Sequence, residues 1–177
     1  APAADRNKGA ILEVLLKYLG NPESFMGNVL EIASGTGQHL GNVQQPLKID
    51  ITAPVTSWPG DITAGSYDVI YNANMGLFNF AGYLLKEGGM LITYGPYAEN
   101  GVLKPDSNVQ DPSWGIRDIK DLAELGRKNG ITLVDKVEMP ANNKTLIWKK
   151  TFEDLTLNVR DQALDRVYES APYTSGK

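Results

Sequence analysis

The spacing of apolar residues along the chain alternates between two patterns, which divides the sequence into helices and strands. Apolar residues recur every three to four positions where a helix buries one face, and they run together in short buried strands. The first pattern predicts helices at residues 11–19, 77–85 and 119–128. Glycine follows each of them, at Gly20, Gly88 and Gly130, as is common where a helix ends.

Short runs with strand-like composition lie between and after these helices. They predict strands at residues 28–33, 47–51, 67–72, 90–94, 131–137 and 145–149. The last two flank a turn at 140–143, so we expect them to form an antiparallel hairpin. Strands that alternate with helices indicate an α/β fold.

The first predicted strand continues into a glycine loop, Ser34-Gly35-Thr36-Gly37. Such a loop presents backbone N–H groups and the start of a helix to an anionic ligand. A dinucleotide site has a third glycine, where this chain has Leu40, and the loop lacks the residues of a Walker phosphate loop or an esterase elbow. Glu31 followed by small residues is the pattern of S-adenosylmethionine enzymes. The alternative is an ordinary strand-to-helix turn.

The composition of the chain limits the kinds of ligand and partner that we expect it to bind. The 177 residues carry a formal net charge of -4, so the strong basic signal of a nucleic-acid-binding protein is missing. Cysteine is absent, which excludes disulfides and thiolate sites, and no metal site is predicted. No run approaches the roughly 18 apolar residues of a membrane span. We therefore expect a cytoplasmic protein that acts on a small molecule or on another protein.

Longer blocks of sequence carry a more specific resemblance. They lie at residues 6–8, 31–39, 92–97, 100–101, 107–109, 114–118 and 139–144. These blocks resemble the methyltransferase-like protein 26 family of predicted S-adenosylmethionine-dependent methyltransferases. The passage from residue 84 to residue 92 resembles the late helix-to-strand passage of methyltransferases, and the hairpin resembles their antiparallel sixth and seventh strands.

The resemblance implies a Rossmann-like methyltransferase fold, a three-layer sandwich with a C-terminal antiparallel hairpin. It covers residues 1–150, and 151–177 is predicted to be a C-terminal extension of unknown role. The family pattern has about forty residues between Leu40 and Gly41, where this chain has none, and the stretch 38–46 barely supplies one parallel crossover. We therefore expect the second-strand region to be lacking. Shorter gaps are expected after Met75 and after Val109.

Candidate site residues follow from the loop and from this resemblance. Ligands of open α/β sheets bind at the carboxyl ends of the strands. For S-adenosylmethionine we expect contacts from Glu31, Ala33, Ser34, Gly35, Gly37, Asp50, Asn72 and Asn74. For the methyl acceptor we expect a pocket formed by Asn7, Tyr97, Trp114 and Arg117. The candidates for a catalytic group are His39, Tyr94 and Tyr97, and each of them could instead have a packing role.

Three functions remain open on the sequence. The first is a methyltransferase of unknown acceptor, in which the protein orients the acceptor and, where needed, provides a base. The second is a catalytically silent relative with a shortened cofactor site. The third is a nicotinamide-dependent oxidoreductase with a degenerate loop.

Overall fold

The computed structural model describes residues 2–32, 48–50, 53–60, 62–73, 78–102 and 116–151. Its regular elements are α1 (Pro2–Leu19), β1 (Val29–Ile32), β2 (Tyr67–Ala73), α2 (Phe78–Leu84), β3 (Leu85–Gly95), α3 (Ile119–Lys128), β4 (Ile131–Glu138) and β5 (Lys144–Lys150). Short 3-10 turns lie at Val55–Ser57 and Pro140–Asn142. The helix predicted at 119–128 is therefore confirmed in full, and α1 begins nine residues before its predicted start.

The strands form one sheet in the order β1-β2-β3-β5-β4. The first three are parallel to one another, and β5 is antiparallel to both of its neighbours, β3 and β4. The predicted hairpin is therefore confirmed. The same order puts the carboxyl ends of β1, β2 and β3 at one edge of the sheet, together with the start of β5. We call this the carboxyl edge and the opposite one the amino edge.

Helices cover both faces of the sheet, which makes the fold a three-layer α/β sandwich. On one face, α1 buries Ile11, Val14 and Leu15 against apolar residues of β2 and β3. On the other face, α2 and α3 bury their apolar sides in a second cluster around Trp148. Because successive residues of a strand point to opposite faces, each strand supplies both clusters. None of the helices among the described residues combines the length and the apolar character needed to cross a membrane.

The prediction of a strand at 47–51 is wrong over the described residues 48–50, which form no strand. Ile49 is half-buried and packs against the cluster around Trp148 without joining the sheet. A short apolar run can meet its need for burial in this irregular way, so its composition does not ensure strand pairing. Within the described residues β1 pairs with β2 alone. The expected lack of the second-strand region concerns residues outside the described ones.

The glycine pair expected to close the second helix lies inside a strand. Helix α2 ends at Leu84 and β3 begins at Leu85, before Gly88 and Gly89. The register shifts between Tyr67 and Val69, and Gly88 has φ +76°, so the extra residues form an irregularity in the strand. A Cβ on Gly89 would lie 2.8 Å from a backbone oxygen, which explains the need for glycine there.

Candidate cofactor and acceptor site

Polar side chains collect at the carboxyl edge, where β1, β2 and β3 end. Glu31 pairs in register with Tyr71, and Ile32 pairs with Asn72. Asn72 pairs in turn with Thr93, and Ala73 pairs with Tyr94. The carboxyl ends of parallel strands are the usual ligand-binding edge of open α/β sheets.

Asn72 is the least satisfied of these groups. Its side chain is 0% exposed, and neither amide atom has a hydrogen-bond partner among the described residues. A buried polar group without a partner costs about 1 to 3 kcal/mol of folding free energy. Such a group is expected where a ligand completes the hydrogen bonding, so this amide fits a bound polar ligand.

Tyr71 is a buried tyrosine at the carboxyl edge, next to Asn72 in the chain. Burial is the main cause that raises its pKa, and electrostatic interactions with Glu31, Tyr94 and Tyr97 raise it further. Glu31 and Tyr71 are partners in register, so their side chains lie on the same face of the sheet. One carboxylate oxygen of Glu31 is itself buried. The carboxyl edge therefore joins one carboxylate, three phenols and the amide of Asn72.

Tyr97 follows β3 and packs against the cluster on the α2 and α3 face. Burial raises the pKa of Tyr97 to about 12, while the Thr93 side chain acts in the opposite direction. Thr93 also accepts a hydrogen bond from Trp148, whose Nε1 lies 3.1 Å from Oγ1 of Thr93. Thr93 is therefore held at the carboxyl edge by a residue of the buried core.

Tyr94 lies on the opposite face and is held by the turn between β4 and β5. Its hydroxyl accepts a hydrogen bond from Nδ2 of Asn143 at 2.8 Å. The same nitrogen lies 3.3 Å from the carbonyl oxygen of Pro140, which can only accept and so identifies that atom as the nitrogen. Ala141 and Asn142, within this turn, have φ +59° and +54°. The turn thus holds Asn143 at a cost in backbone strain.

Two further side chains at the start of β5 complete this edge. Lys144 is 2% exposed and donates to Oε1 of Glu138 at 2.6 Å. Thr145, the register partner of Tyr94, is 1% exposed, and its hydroxyl has no hydrogen-bond partner among the described residues. Within the same part of the chain, no group of three or more histidine, aspartate or glutamate side chains could hold a metal ion.

The sequence-predicted residues divide into those that meet at this edge, those that lie elsewhere, and those outside the described residues. Glu31, Asn72, Tyr94 and Tyr97 meet at the carboxyl edge. Asn7 is half-buried on α1, and Arg117 is exposed. Asp50 is exposed and ends no strand, so its placement at the end of a third strand is wrong. The candidates outside the described residues are Ala33, Ser34, Gly35, Gly37, His39, Asn74 and Trp114. The expected gaps at Leu40, Met75 and Val109 also lie outside them.

Sequence reasoning did not single out Tyr71, Thr93, Asn143 or Thr145. Tyr71 and Thr93 lie inside predicted strands, where such residues are readily interpreted as part of the packed core. Asn143 belongs to a block that was noted only for its resemblance. The register of the neighbouring strands puts Tyr71 on the same face as Glu31, and the sequence alone does not reveal that register.

The fold is shared with methyltransferases of known structure. One neighbour is a chain from the complex between the Haloferax volcanii Trm112 methyltransferase activator and a methyltransferase, with TM-score 0.61 at 10% identity, covering 86% of this chain and 93% of that chain. Another is an S-adenosylmethionine-dependent methyltransferase from Thermotoga maritima, with TM-score 0.56 at 14% identity, covering 82% and 90%. A third is 1,6-didemethyltoxoflavin-N1-methyltransferase from Burkholderia thailandensis, crystallised with S-adenosylhomocysteine, with TM-score 0.53 at 16% identity, covering 82% and 78%.

A family model also matches most of the chain. The family is described as a protein of unknown function, DUF938, and the match covers residues 1–41 and 40–150. The two matched segments meet at residues 40 and 41, the position where the sequence predicts a missing stretch. The match ends at residue 150, where the predicted extension begins.

Proposed function

Because the chain belongs to the DUF938 family, and because its sheet is that of methyltransferases, we propose that it is an S-adenosylmethionine-dependent methyltransferase. The observation that carries the proposal is the position of β5, antiparallel between β3 and β4. A dinucleotide-binding sheet of the Rossmann type is mostly parallel. The resemblance of the sequence blocks also supports a relationship between this chain and the methyltransferase-like protein 26 family.

We assign cofactor binding to the carboxyl ends of β1 and β2. Glu31 would accept hydrogen bonds from the polar part of S-adenosylmethionine. The amide of Asn72, which has no hydrogen-bond partner among the described residues, would both donate and accept. The small residues 33–37 would allow the cofactor to approach the backbone closely. The bound cofactor supplies an activated methyl group on a sulfonium.

Orientation of the acceptor is assigned to the tyrosines at the ends of β3. With its pKa near 12, Tyr97 stays protonated around neutral pH, so it would orient an acceptor through hydrogen bonds and would not remove its proton. Tyr94, held by Asn143, ends the same strand on the opposite face of the sheet and would limit the site from that side. Methyl transfer is an in-line displacement, for which such positioning is the main requirement.

Isothermal titration calorimetry of the whole chain with S-adenosylmethionine, S-adenosylhomocysteine and NAD separates the three candidate functions. We expect the first two ligands to bind and NAD not to bind. Glu31→Gln should raise the Kd for S-adenosylhomocysteine about tenfold, because a charged hydrogen-bond acceptor is lost. Glu124→Gln, on the exposed side of α3, is the matched control and should bind like the wild-type protein.

The outcomes are distinct. Binding of NAD alone would contradict the proposal and favour the oxidoreductase. A lack of binding by all three ligands would also contradict it, and would favour the catalytically silent relative. If Glu31→Gln and Glu124→Gln change the Kd for S-adenosylhomocysteine equally, Glu31 does not contact the cofactor.

A further inference from the structure

The segment that follows β3 folds into a tight turn shortly after Tyr97. Glu99 and Val102 exchange two backbone hydrogen bonds, each of 3.0 Å. Between them, Asn100 and Gly101 have φ +53° and +74°. Two successive positive φ angles are typical of the type I′ turn, which favours asparagine followed by glycine. The local sequence therefore specifies the turn, which we call the 99–102 turn.

The side chain of Asp118 connects this turn to the start of α3. Its Oδ2 accepts from the backbone N–H of Gly101 at 2.6 Å, and its Oδ1 accepts from that of Lys120 at 2.8 Å. The second bond makes Asp118 the N-cap of α3. The N–H of Gly101, followed by that of Lys120, holds the pKa of this carboxyl group below 3.8. One charged side chain thus caps the helix and holds the turn.

The backbone on either side of Asp118 fixes Ala98, the residue after Tyr97. The N–H of Ala98 donates to the carbonyl of Arg117 at 3.1 Å. The carbonyl of Ala98 accepts from the N–H of Ile119 at 3.0 Å. Tyr97 therefore lies between the end of β3 and a residue that is bonded to both neighbours of Asp118.

A second side-chain contact of the turn, with the sheet, is weaker. Lys136 of β4 donates to the carboxylate of Glu99. Both side chains are partly exposed, and such an ion pair contributes little to stability. The bond between Gly101 and Asp118 is short and has a charged acceptor, which is the stronger kind of hydrogen bond. Asp118 is therefore the main side-chain constraint on the turn.

We infer that Asp118 is a positioning residue, which fixes the 99–102 turn to α3 and so holds Tyr97 at the carboxyl edge, where Tyr97 would orient the methyl acceptor. This inference rests on the proposed function and adds to it a residue that lies outside the strands and the glycine loop. Asp118 is not expected to touch the acceptor. Its contribution passes through the backbone to Tyr97.

The test follows Tyr97 by NMR in protein labelled with ¹³C at the tyrosine ring carbon that bears the hydroxyl, with Tyr97→Phe to assign the signal. Asp118→Asn keeps a good N-cap, but its amide nitrogen cannot accept from Gly101. The Tyr97 signal should therefore shift. Asp121→Asn is the matched control, because it removes the same charge from an exposed position in the first turn of α3, and the signal should not change.

A second substitution disturbs the same contact from the side of the turn. Gly101→Ala adds a Cβ at φ +74° that meets no atom within 4 Å, so its effect is limited to the backbone of the turn. The Tyr97 signal should shift here too. Gly65→Ala at the amino edge is the control, since its φ is +60° and its Cβ would be equally free. It should cost similar stability and leave the signal unchanged.

The outcomes separate positioning from a merely structural role. If Asp118 only caps α3, Asp118→Asn leaves the Tyr97 signal unchanged, and the inference is overturned. Equal shifts in the variants and in their controls would overturn it as well, because the signal would then report a general loss of stability. If Asp118→Asn does not fold, the comparison of Gly101→Ala with Gly65→Ala decides in the same way.

Calorimetry with S-adenosylhomocysteine keeps this inference distinct from the proposed function. We expect Asp118→Asn to bind this ligand with the wild-type Kd, because the cofactor is assigned to the ends of β1 and β2. A tenfold or larger rise in the Kd would contradict a role confined to Tyr97 and the acceptor. Failure of the wild-type protein to bind the ligand would contradict the proposed function, while the NMR comparison would still decide whether Asp118 positions Tyr97.

Discussion

Polar groups at the amino edge of the sheet are paired, whereas several at the carboxyl edge are not. At the amino edge, Asp68 accepts from Lys86 and from the backbone N–H of Asn28, each at 2.7 Å. The Asn28 amide donates to the carbonyl of Ser66, and Lys150 donates to that of Leu85. These bonds join neighbouring strands at this edge of the sheet.

At the carboxyl edge some polar groups are paired and others are not. Asn72 and Thr145 are buried, and their side chains have no hydrogen-bond partner among the described residues. Positive φ angles differ in the same way: glycines such as Gly65 and Gly130 adopt them before strands begin, whereas Ala141 and Asn142 adopt them at the carboxyl edge. A residue with a Cβ carries strain in that conformation, and glycine does not.

The difference indicates that the two edges of the sheet have different roles. The amino edge contributes to stability, because each polar group there has exchanged water for a protein partner. The carboxyl edge retains unsatisfied groups and strain, which reduce the stability of the ligand-free protein. Such costs persist where binding of a ligand offsets them.

Substitution of the least satisfied group gives the largest expected effect. Asn72→Leu replaces an orphaned amide by an apolar group of similar size, and should stabilise the ligand-free protein by about 2 kcal/mol in urea unfolding. It should also abolish S-adenosylhomocysteine binding. Asn28→Leu at the amino edge is the control and should destabilise, because it breaks a bond that exists. Destabilisation by both substitutions would show that the two edges are alike.

Relief of strain in the turn that holds Asn143 should have a smaller effect. Ala141→Gly removes the Cβ at φ +59°, and should raise the free energy of unfolding by about 1 kcal/mol. Ala123→Gly, in the middle of α3, should lower it by a similar amount, about 1 kcal/mol, because glycine costs helix stability. Urea denaturation measures both. A loss of stability in Ala141→Gly would mean that this turn stores no strain.

The smallest expected effect concerns pH at the amino edge. The Lys86 ammonium is the main cause that lowers the pKa of Asp68 below 3.8, aided by the N–H of Asn28. A carboxylate whose pKa is lowered by folding contributes stability above its unfolded pKa and loses it as the pH falls through the folded value. Because both side chains are partly exposed, Asp68→Asn should cost only about 0.5 kcal/mol at pH 7.

This cost should shrink in urea titrations below about pH 4, where the wild-type carboxyl group begins to take up its proton. Glu13→Gln, on an exposed part of α1, is the control and should leave the pH profile unchanged. If Asp68→Asn lowers the free energy of unfolding equally at pH 3 and pH 7, the ion pair between Asp68 and Lys86 does not stabilise this edge.

Most of the fold could be predicted because its patterns are local. The amphipathic spacing at 119–128, with Asp118 before it and Asn129 after it, corresponds to α3 residue for residue. The turn at 140–143 likewise identified the hairpin of β4 and β5. The run at 47–51 was misassigned because its alternation carries no information about a partner strand. The glycines at 88 and 89 were misplaced because a strand irregularity and a helix end use the same residue.

Of the candidate site, the sequence by itself placed Glu31, Asn72, Tyr94 and Tyr97 at or just after the carboxyl ends of strands, since that position follows from chain order alone. Only the tertiary structure decided that the Asn72 amide is buried with no hydrogen-bond partner among the described residues, that Thr93 accepts from Trp148, and that Asn143 holds Tyr94. Trp148 and Thr93 are 55 residues apart in the chain. Their bond depends on strand order and register, which arise from pairing between distant segments and leave no local pattern.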